Sequence, residues 1–134
     1  MPIAATATPS VALPGRNLHS SGTASDSICP KGWRLPGYSG SGSWYDLVRK
    51  YNNGTGNSAP KDTFLQISPL SFFRSGRYYY VSGALYYRTS IGDYWSGRFY
   101  SRTNSYNLDF GSTYLYPQHE FDRGYGFSLR CLVR

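Results

Sequence analysis

The side chains best suited to acid–base chemistry in this sequence are His119 and two carboxylates close to it, Glu120 and Asp122. An imidazole beside a carboxylate can serve as a general base or bind a metal ion. One histidine beside two carboxylates in a loop is more typical of a solvated turn, and the other acidic residues are dispersed along the chain. The sequence has no serine-nucleophile, zinc-protease or phosphate-loop motif. We therefore expect no catalysis, no cofactor and no metal ion.

Two cysteines, Cys29 and Cys131, lie 102 positions apart. This spacing fits neither a Cys-x-x-Cys redox pair nor a four-ligand zinc site. One interpretation is a disulfide that joins the two ends of the domain, which would stabilise it by roughly 4 to 5 kcal/mol in the chain-entropy model. Such a bond would also indicate an oxidising compartment. Two unpaired buried thiols are the alternative.

Tyrosine is the most unusual feature of the composition, with 14 Tyr beside 7 Phe and 3 Trp. Most tyrosines follow residue 74, in a region where every cation is an arginine and where serine, glycine and asparagine are abundant. A core built from so many phenols would bury hydroxyl groups, each at a cost of about 1 to 3 kcal/mol without a partner. We therefore expect several exposed tyrosines, in a composition typical of recognition surfaces.

The charge balance points to an anionic partner only weakly. The chain carries 14 Lys and Arg against 7 Asp and Glu, a net charge of +7. The cations are scattered singly, as on an ordinary solvated surface, so we expect no nucleic-acid partner. The sequence has no apolar run long enough to span a bilayer, so we expect no membrane insertion.

The elements that must position these side chains indicate an α+β domain. Residues 1–28 are rich in Ala, Thr, Ser, Pro and Gly, which predicts an extended arm or linker, and the folded domain is expected over 29–134. Ser43 as N-cap and apolar residues spaced from Trp44 to Tyr51 predict a helix that ends at the Asn-Asn-Gly that follows. Beyond Pro60, short apolar segments separated by turn residues predict strands, including a half-buried strand over 126–133.

Three segments resemble the FISUMP family of bacterial surface domains. They are residues 28–36 (Ile-Cys-Pro-Lys-Gly-Trp-Arg-Leu-Pro), 92–96 (Gly-Asp-Tyr-Trp-Ser) and 123–131 (Arg-Gly-Tyr-Gly-Phe-Ser-Leu-Arg-Cys). The resemblance implies a C-type lectin-like fold, with one or two helices early and a twisted, mostly antiparallel, loop-rich sheet. The calcium-binding motifs of sugar-binding C-type lectins are missing, which argues against calcium-dependent sugar binding.

The second half of the chain also resembles the variable region of proteins diversified by retroelements, in which template asparagine codons are rewritten. This resemblance implies a variable region over about 77–125 that forms the contact face. The ligand-binding residues that it implies, with arginines added to pair with acidic or carbonyl groups, are Tyr78, Tyr80, Tyr86, Tyr87, Ile91, Asp93, Arg98, Phe99, Tyr100, Arg102, Asp109, Tyr114, Tyr116, His119, Glu120, Phe121, Asp122 and Tyr125. We expect Trp33, Trp95, Cys29 and Cys131 to be structural.

Together these patterns predict a binding module rather than an enzyme. The resemblance implies that it recognises a protein or glycan on a foreign or host cell. It implies an extracellular location, on a cell surface, at a pilus or adhesin tip, or on a phage tail. The alternative is a FISUMP domain with a structural role, whose tyrosine-rich strands pack against neighbouring copies.

Overall fold

The computed structural model describes residues 22–23, 28–52 and 63–133. The elements in chain order are β1 (Gly22–Thr23), β2 (Trp33–Arg34), α1 (Trp44–Tyr51), α2 (Thr63–Gln66), β3 (Arg77–Tyr78), β4 (Leu85–Tyr86), β5 (Ile91–Phe99), β6 (Asn104–Gly111), β7 (Leu115–Asp122) and β8 (Leu132–Val133). The strands pair antiparallel within every sheet, and both helices precede the three long strands. The predicted α+β class is therefore confirmed.

Helix α1 begins where the sequence predicts it. The Ser43 hydroxyl accepts a hydrogen bond from the Asp46 backbone N–H at 3.0 Å, which satisfies one of the unpaired donors of the first turn. Trp44 and Val48 are buried, whereas Tyr51 at the other end is exposed. The amphipathic spacing thus anchors the first two turns of α1 to the core.

The end of α1 and the element after it differ from the predictions. The C-cap Asn52 has a φ of −117°, so the left-handed ending expected at this site is not formed by Asn52, and Asn53 and Gly54 lie outside the described residues. The apolar segment 64–67, expected as part of the strand-rich region, belongs largely to the short helix α2. Such a short apolar run has no distinct periodicity, and burial of Leu65 against the core favours the helical turn.

Strands β5 and β6 are the centre of a four-stranded sheet with the order β1, β5, β6, β7. Their register places Asp93 opposite Asp109 and Tyr94 opposite Leu108. Every residue of β5 from Ile91 to Gly97 is buried, so the sheet is covered on both faces. Because side chains alternate along a strand, these two faces receive different residues.

One face is an apolar core under the helices. Tyr94, Leu108 and Phe110 from the sheet pack there with Trp44 of α1 and with Phe72. The ring centroids of Phe72 and Tyr94 are 4.9 Å apart, and those of Trp44 and Phe72 are 5.6 Å apart, both in edge-on contact. The Tyr94 hydroxyl is satisfied, since it donates to the Phe73 carbonyl at 3.2 Å. This region is called the apolar face below.

The opposite face combines polar and aromatic side chains. Asp93 and Trp95 of β5 and Asn107 and Asp109 of β6 are all buried there. The Trp95 ring stacks on Phe127 with a centroid separation of 4.2 Å. This region is called the ionic face below, and it lies under the candidate site.

The first and last segments of the folded domain pair in a separate two-stranded sheet. Cys29 and Cys131 form the predicted disulfide, and β2 pairs with β8 beside it. The predicted strand over 126–133 is wrong in extent, since only Leu132–Val133 forms regular pairs. Trp33, expected to be structural, pairs opposite Val133 in this two-stranded sheet and is 43% exposed.

Candidate ligand-binding site

Nine rings contact one another in a continuous series beside the ionic face. Neighbouring centroids in the series are 4.7 to 6.2 Å apart, the usual range for aromatic pairs. We call this series the aromatic ladder, and its members are Tyr79, Tyr80, Tyr86, Tyr87, Tyr114, Tyr116, His119, Phe121 and Tyr125. Phe121 also contacts the buried Phe127, which joins the ladder to the core.

A register shift in the sheet places the rings at one end of the aromatic ladder on the same side. The pairing of β6 with β7 is irregular between Asn107 and Asp109. An extra residue at a bulge turns the side chains that follow it by one position. Tyr116 and His119 are three residues apart in β7 and yet stack with a centroid separation of 5.9 Å. The irregularity therefore brings residues of β7 to one side that strict alternation would separate.

The hairpin of β3 and β4 supplies the other end. Arg77 pairs opposite Tyr86, and the backbone N–H of Tyr79 donates to Ala84 at 3.0 Å to close the turn. The hairpin is tied to the end of the chain by two backbone hydrogen bonds of 2.9 Å between Tyr78 and Gly126. These bonds hold the rings of Tyr79 and Tyr80 against the ring of Tyr125.

An open cavity of about 300 Å³ lies within the ladder. We call it the tyrosine cup, and its lining residues are Arg77, Tyr79, Tyr86, Tyr87, Phe121 and Tyr125. The Arg77 guanidinium lies 4.5 Å from the Phe121 ring centroid and 5.6 Å from that of Tyr87. These are cation–π distances, so the guanidinium is already held against the ring faces of the cup.

Two buried carboxylates share this guanidinium. Arg77 Nε is 3.0 Å from Asp93 Oδ2, and its Nη2 is 4.0 Å from Asp109 Oδ2. The Asn107 amide donates to Asp93 at 3.1 Å, and the Tyr114 hydroxyl donates to Asp109 at 3.0 Å. The network thus ties β3 to both central strands from beneath the cup.

The charges of this network are not balanced when both carboxyl groups are ionised. Burial and the neighbouring Asp109 raise the pKa of Asp93 to about 8. Burial likewise raises the pKa of Asp109, although Tyr114, Arg77 and His119 oppose the shift. Two acids facing one arginine therefore favour a retained proton at neutral pH.

The predicted contact residues fall into three groups of exposure. Those with exposed side chains are Tyr78, Tyr80, Tyr86, Tyr87, Arg98, Tyr100, Arg102 and Tyr116. Those of intermediate exposure are Tyr114, His119, Glu120, Phe121, Asp122 and Tyr125. Eight of the predicted residues meet in the aromatic ladder, namely Tyr80, Tyr86, Tyr87, Tyr114, Tyr116, His119, Phe121 and Tyr125.

Four predicted contact residues are buried, and their expected exposure is wrong. They are Ile91, Asp93, Phe99 and Asp109. All four lie on β5 or β6, which are the central strands of a sheet covered on both faces. Asp93 and Asp109 support the cup from below instead of touching a ligand.

Some predicted residues lie outside the ladder. Tyr100 belongs to a separate group in which its ring contacts Tyr106, and Tyr106 contacts Tyr38. Glu120 accepts a hydrogen bond from the Asn104 amide. Asp122 accepts one from the Gly124 backbone N–H at 2.7 Å, which shapes the turn before Tyr125.

Sequence reasoning missed Arg77 and Tyr79. Exposure alternates from Arg77 to Tyr80, so Arg77 and Tyr79 are partly buried while Tyr78 and Tyr80 point outward. The period of two in this short segment could have placed Arg77 and Tyr79 on the covered side. The partners of Arg77 come from β5 and β6, and no local pattern reveals them.

The described residues contain no group of three or more His, Cys, Asp or Glu side chains that could hold a metal ion. Their helices are too short or too polar to cross a membrane. No family model matches the chain, and no curated protein or solved structure matches it.

Proposed function

We propose that this domain is a ligand-binding module that recognises a protein or glycan on a target cell through the aromatic ladder. It acts by surface complementarity and performs no reaction. The rings supply contact area with little conformational entropy to lose, and the hydroxyl groups supply adaptable hydrogen bonds. The disulfide suits an extracellular location, on a cell surface or on a phage tail.

The continuous ladder is the observation that carries this proposal. A core packs its rings away from water, whereas Tyr80, Tyr86, Tyr87 and Tyr116 are each 44 to 61% exposed while in contact with other rings. Contiguous exposed aromatic surface is uncommon on monomeric proteins and marks interaction sites. The buried ion pairs beneath it keep the rings in place without a ligand, which lowers the entropic cost of binding.

The finer classification is part of the same proposal. The three segments that resemble FISUMP domains lie at the disulfide, in β5 and at the chain end beside the ladder. We assign the domain to the C-type lectin-like fold on this resemblance. Its variable region spans about 77–125 and includes the ladder residues other than Tyr79, and Arg98 and Arg102 lie outside the ladder as cations for acidic groups on the partner.

The alternative is a structural domain whose aromatic surface packs against further copies. The same exposed rings favour this alternative, because a tyrosine-rich surface can be buried against a second copy of the domain as well as against a foreign molecule. Sedimentation velocity separates the two: a monomer over a wide concentration range supports recognition, and concentration-dependent oligomers support assembly.

Substitution of one exposed ring tests the recognition proposal. Tyr116→Ala should weaken saturable binding of the fluorescently labelled domain to intact target cells by at least about tenfold, since hot-spot aromatic residues contribute that much. The melting temperature should change by less than about 2 °C, because the ring is 45% exposed. Flow cytometry against a panel of bacterial cells gives the binding curve, and differential scanning fluorimetry gives the melting temperature.

The matched control is Tyr51→Ala, at the end of α1. Its ring is 47% exposed and does not belong to the ladder. This variant should bind cells like the parent domain. Equal loss of binding in both variants, or no saturable binding to any cell, would contradict the proposal.

A further inference from the structure

We propose that the tyrosine cup binds a neutral saccharide ring without a metal ion. The inference rests on the proposed function and specifies the ligand chemistry of one subsite within the ladder. It follows from three properties of the cup: its charge, its unengaged polar groups and its ring walls.

The charge of the cup disfavours ionic ligands of either sign. A ligand cation would compete with Arg77, whose guanidinium already lies against Phe121 and Tyr87. A ligand anion would find that guanidinium already paired with Asp93 and Asp109. A carboxylate of the ligand would meet a guanidinium whose charge the buried acids, which retain one proton at neutral pH, already balance. The remaining choice is an uncharged group.

The polar groups of the cup disfavour an aliphatic group. No hydrogen bond within the described part of the chain engages the hydroxyl groups of Tyr79, Tyr86, Tyr87 or Tyr125. The terminal nitrogens of Arg77 have, among described residues, only the 4.0 Å contact with Asp109. An aliphatic side chain that filled the cup would desolvate these groups without replacing their hydrogen bonds with water.

A sugar ring satisfies both requirements. Its C–H faces can lie against the tyrosine rings, and its hydroxyl groups can exchange hydrogen bonds with the four phenols and the guanidinium. The cup volume of about 300 Å³ is at the lower end of the range for small-molecule pockets, which suits a single ring rather than an extended chain. The described residues offer no metal-binding group, so the inferred binding is independent of calcium.

The test is saturation-transfer NMR on the full chain with a defined panel of neutral probes: the methyl glycosides of glucose, galactose, mannose, fucose, xylose, N-acetylglucosamine and N-acetylgalactosamine. The spectra are recorded with EDTA present. We expect at least one probe to bind with a dissociation constant tighter than about 10 mM, as a single small ring allows. Absence of binding by every probe at that level would overturn the inference.

A pair of variants assigns any binding to the cup. Tyr86→Ala, whose ring is 44% exposed, should abolish the signal, and Tyr51→Ala, whose ring is 47% exposed, should leave it unchanged. The double variant Tyr79→Phe with Tyr86→Phe keeps both rings and removes two hydroxyl groups. It should weaken saccharide binding about tenfold, whereas unchanged or stronger binding would indicate an apolar occupant and overturn the inference.

The cell-binding assay separates this inference from the proposed function. If no saccharide binds and Tyr116→Ala still loses binding to cells, the ladder recognises a protein and only the saccharide inference fails. If neither probe nor cell binds, both proposals fail. A saccharide that binds equally well to Tyr86→Ala lies elsewhere on the domain, which would also overturn the assignment to the cup.

Discussion

The two faces of the central sheet are covered equally well, but by different chemistry. On the apolar face, rings such as Trp44 and Phe72 pack against Tyr94 and Phe110. On the ionic face, two carboxylates and an arginine occupy the corresponding depth. Burial of apolar rings stabilises a fold directly, whereas buried ion pairs nearly offset their own desolvation. The apolar face therefore supplies stability, and the ionic face supplies position.

Because stability and positioning come from different faces of the sheet, the domain can carry a surface of exposed tyrosines. The ladder does not have to stabilise the domain, because the apolar face and the disulfide do so from elsewhere. Arg77 is the link, since it touches the ladder through Phe121 and the sheet through Asp93. The rings can then differ in kind while their backbone stays fixed.

The largest expected effect comes from the apolar face. Phe72→Ala should lower the free energy of unfolding by about 3 to 5 kcal/mol, because it opens a cavity among three neighbouring rings. Its neighbour Phe73 is 72% exposed, so Phe73→Ala should change stability by less than about 0.5 kcal/mol. Urea denaturation followed by circular dichroism measures both, and similar losses in the two variants would contradict the comparison.

A smaller loss of stability is expected when Arg77, which joins the ladder to the sheet, is replaced. Arg77→Met should cost about 3 kcal/mol at neutral pH, because it leaves two buried acids without their cation. Adding Asp93→Asn and Asp109→Asn to that variant should recover much of the loss. The exposed Arg88→Met serves as the control. If the triple variant were no more stable than Arg77→Met, the acids would not be the source of the cost.

The smallest expected effect is a dependence of the domain's stability on pH. The pKa of Asp93 is about 8 in the folded chain against an ordinary value of 3.8, so the folded state holds the proton that the unfolded state releases between these values. Stability should then fall as pH rises, by about 2 kcal/mol between about pH 6 and pH 8.

Variants separate the groups that face this carboxyl group. Asp93→Asn should reduce the dependence of the free energy of unfolding on pH, because Arg77 and Asp109 then face an uncharged amide. His119 lies 3.9 Å from Asp109, so His119→Asn is measured in parallel. A slope that vanished only in His119→Asn would assign the effect to the imidazole instead.

The parts of the fold that depend on neighbours in sequence could be predicted. The N-cap Ser43 and the spacing of Trp44 and Val48 lie within one short segment, and helix α1 follows them. The disulfide was one of the two interpretations that a single pair of cysteines allows. The exposure of several tyrosines followed from the cost of burying phenols.

The parts of the fold that depend on the register between strands could not be predicted from the sequence. Asp93 and Asp109 meet because β5 and β6 pair with one particular alignment, which the sequence does not display. The same two residues were expected at the contact face from the resemblance to retroelement-diversified variable regions. Likewise the exposure of Trp33 depends on its place in a sheet of two short strands, which the sequence does not display.

The covalent bond between Cys29 and Cys131 also decides how the domain responds to mechanical load. Tension applied through the polypeptide on either side would pass along this bond and bypass the sheet and the ladder between the two cysteines. Of the described elements, β1 at Gly22–Thr23 and β8 at Leu132–Val133 lie outside the closed loop, and their short pairings with β5 and β2 would peel away first. The tyrosine surface would keep its shape under such a force, which suits the proposed recognition role.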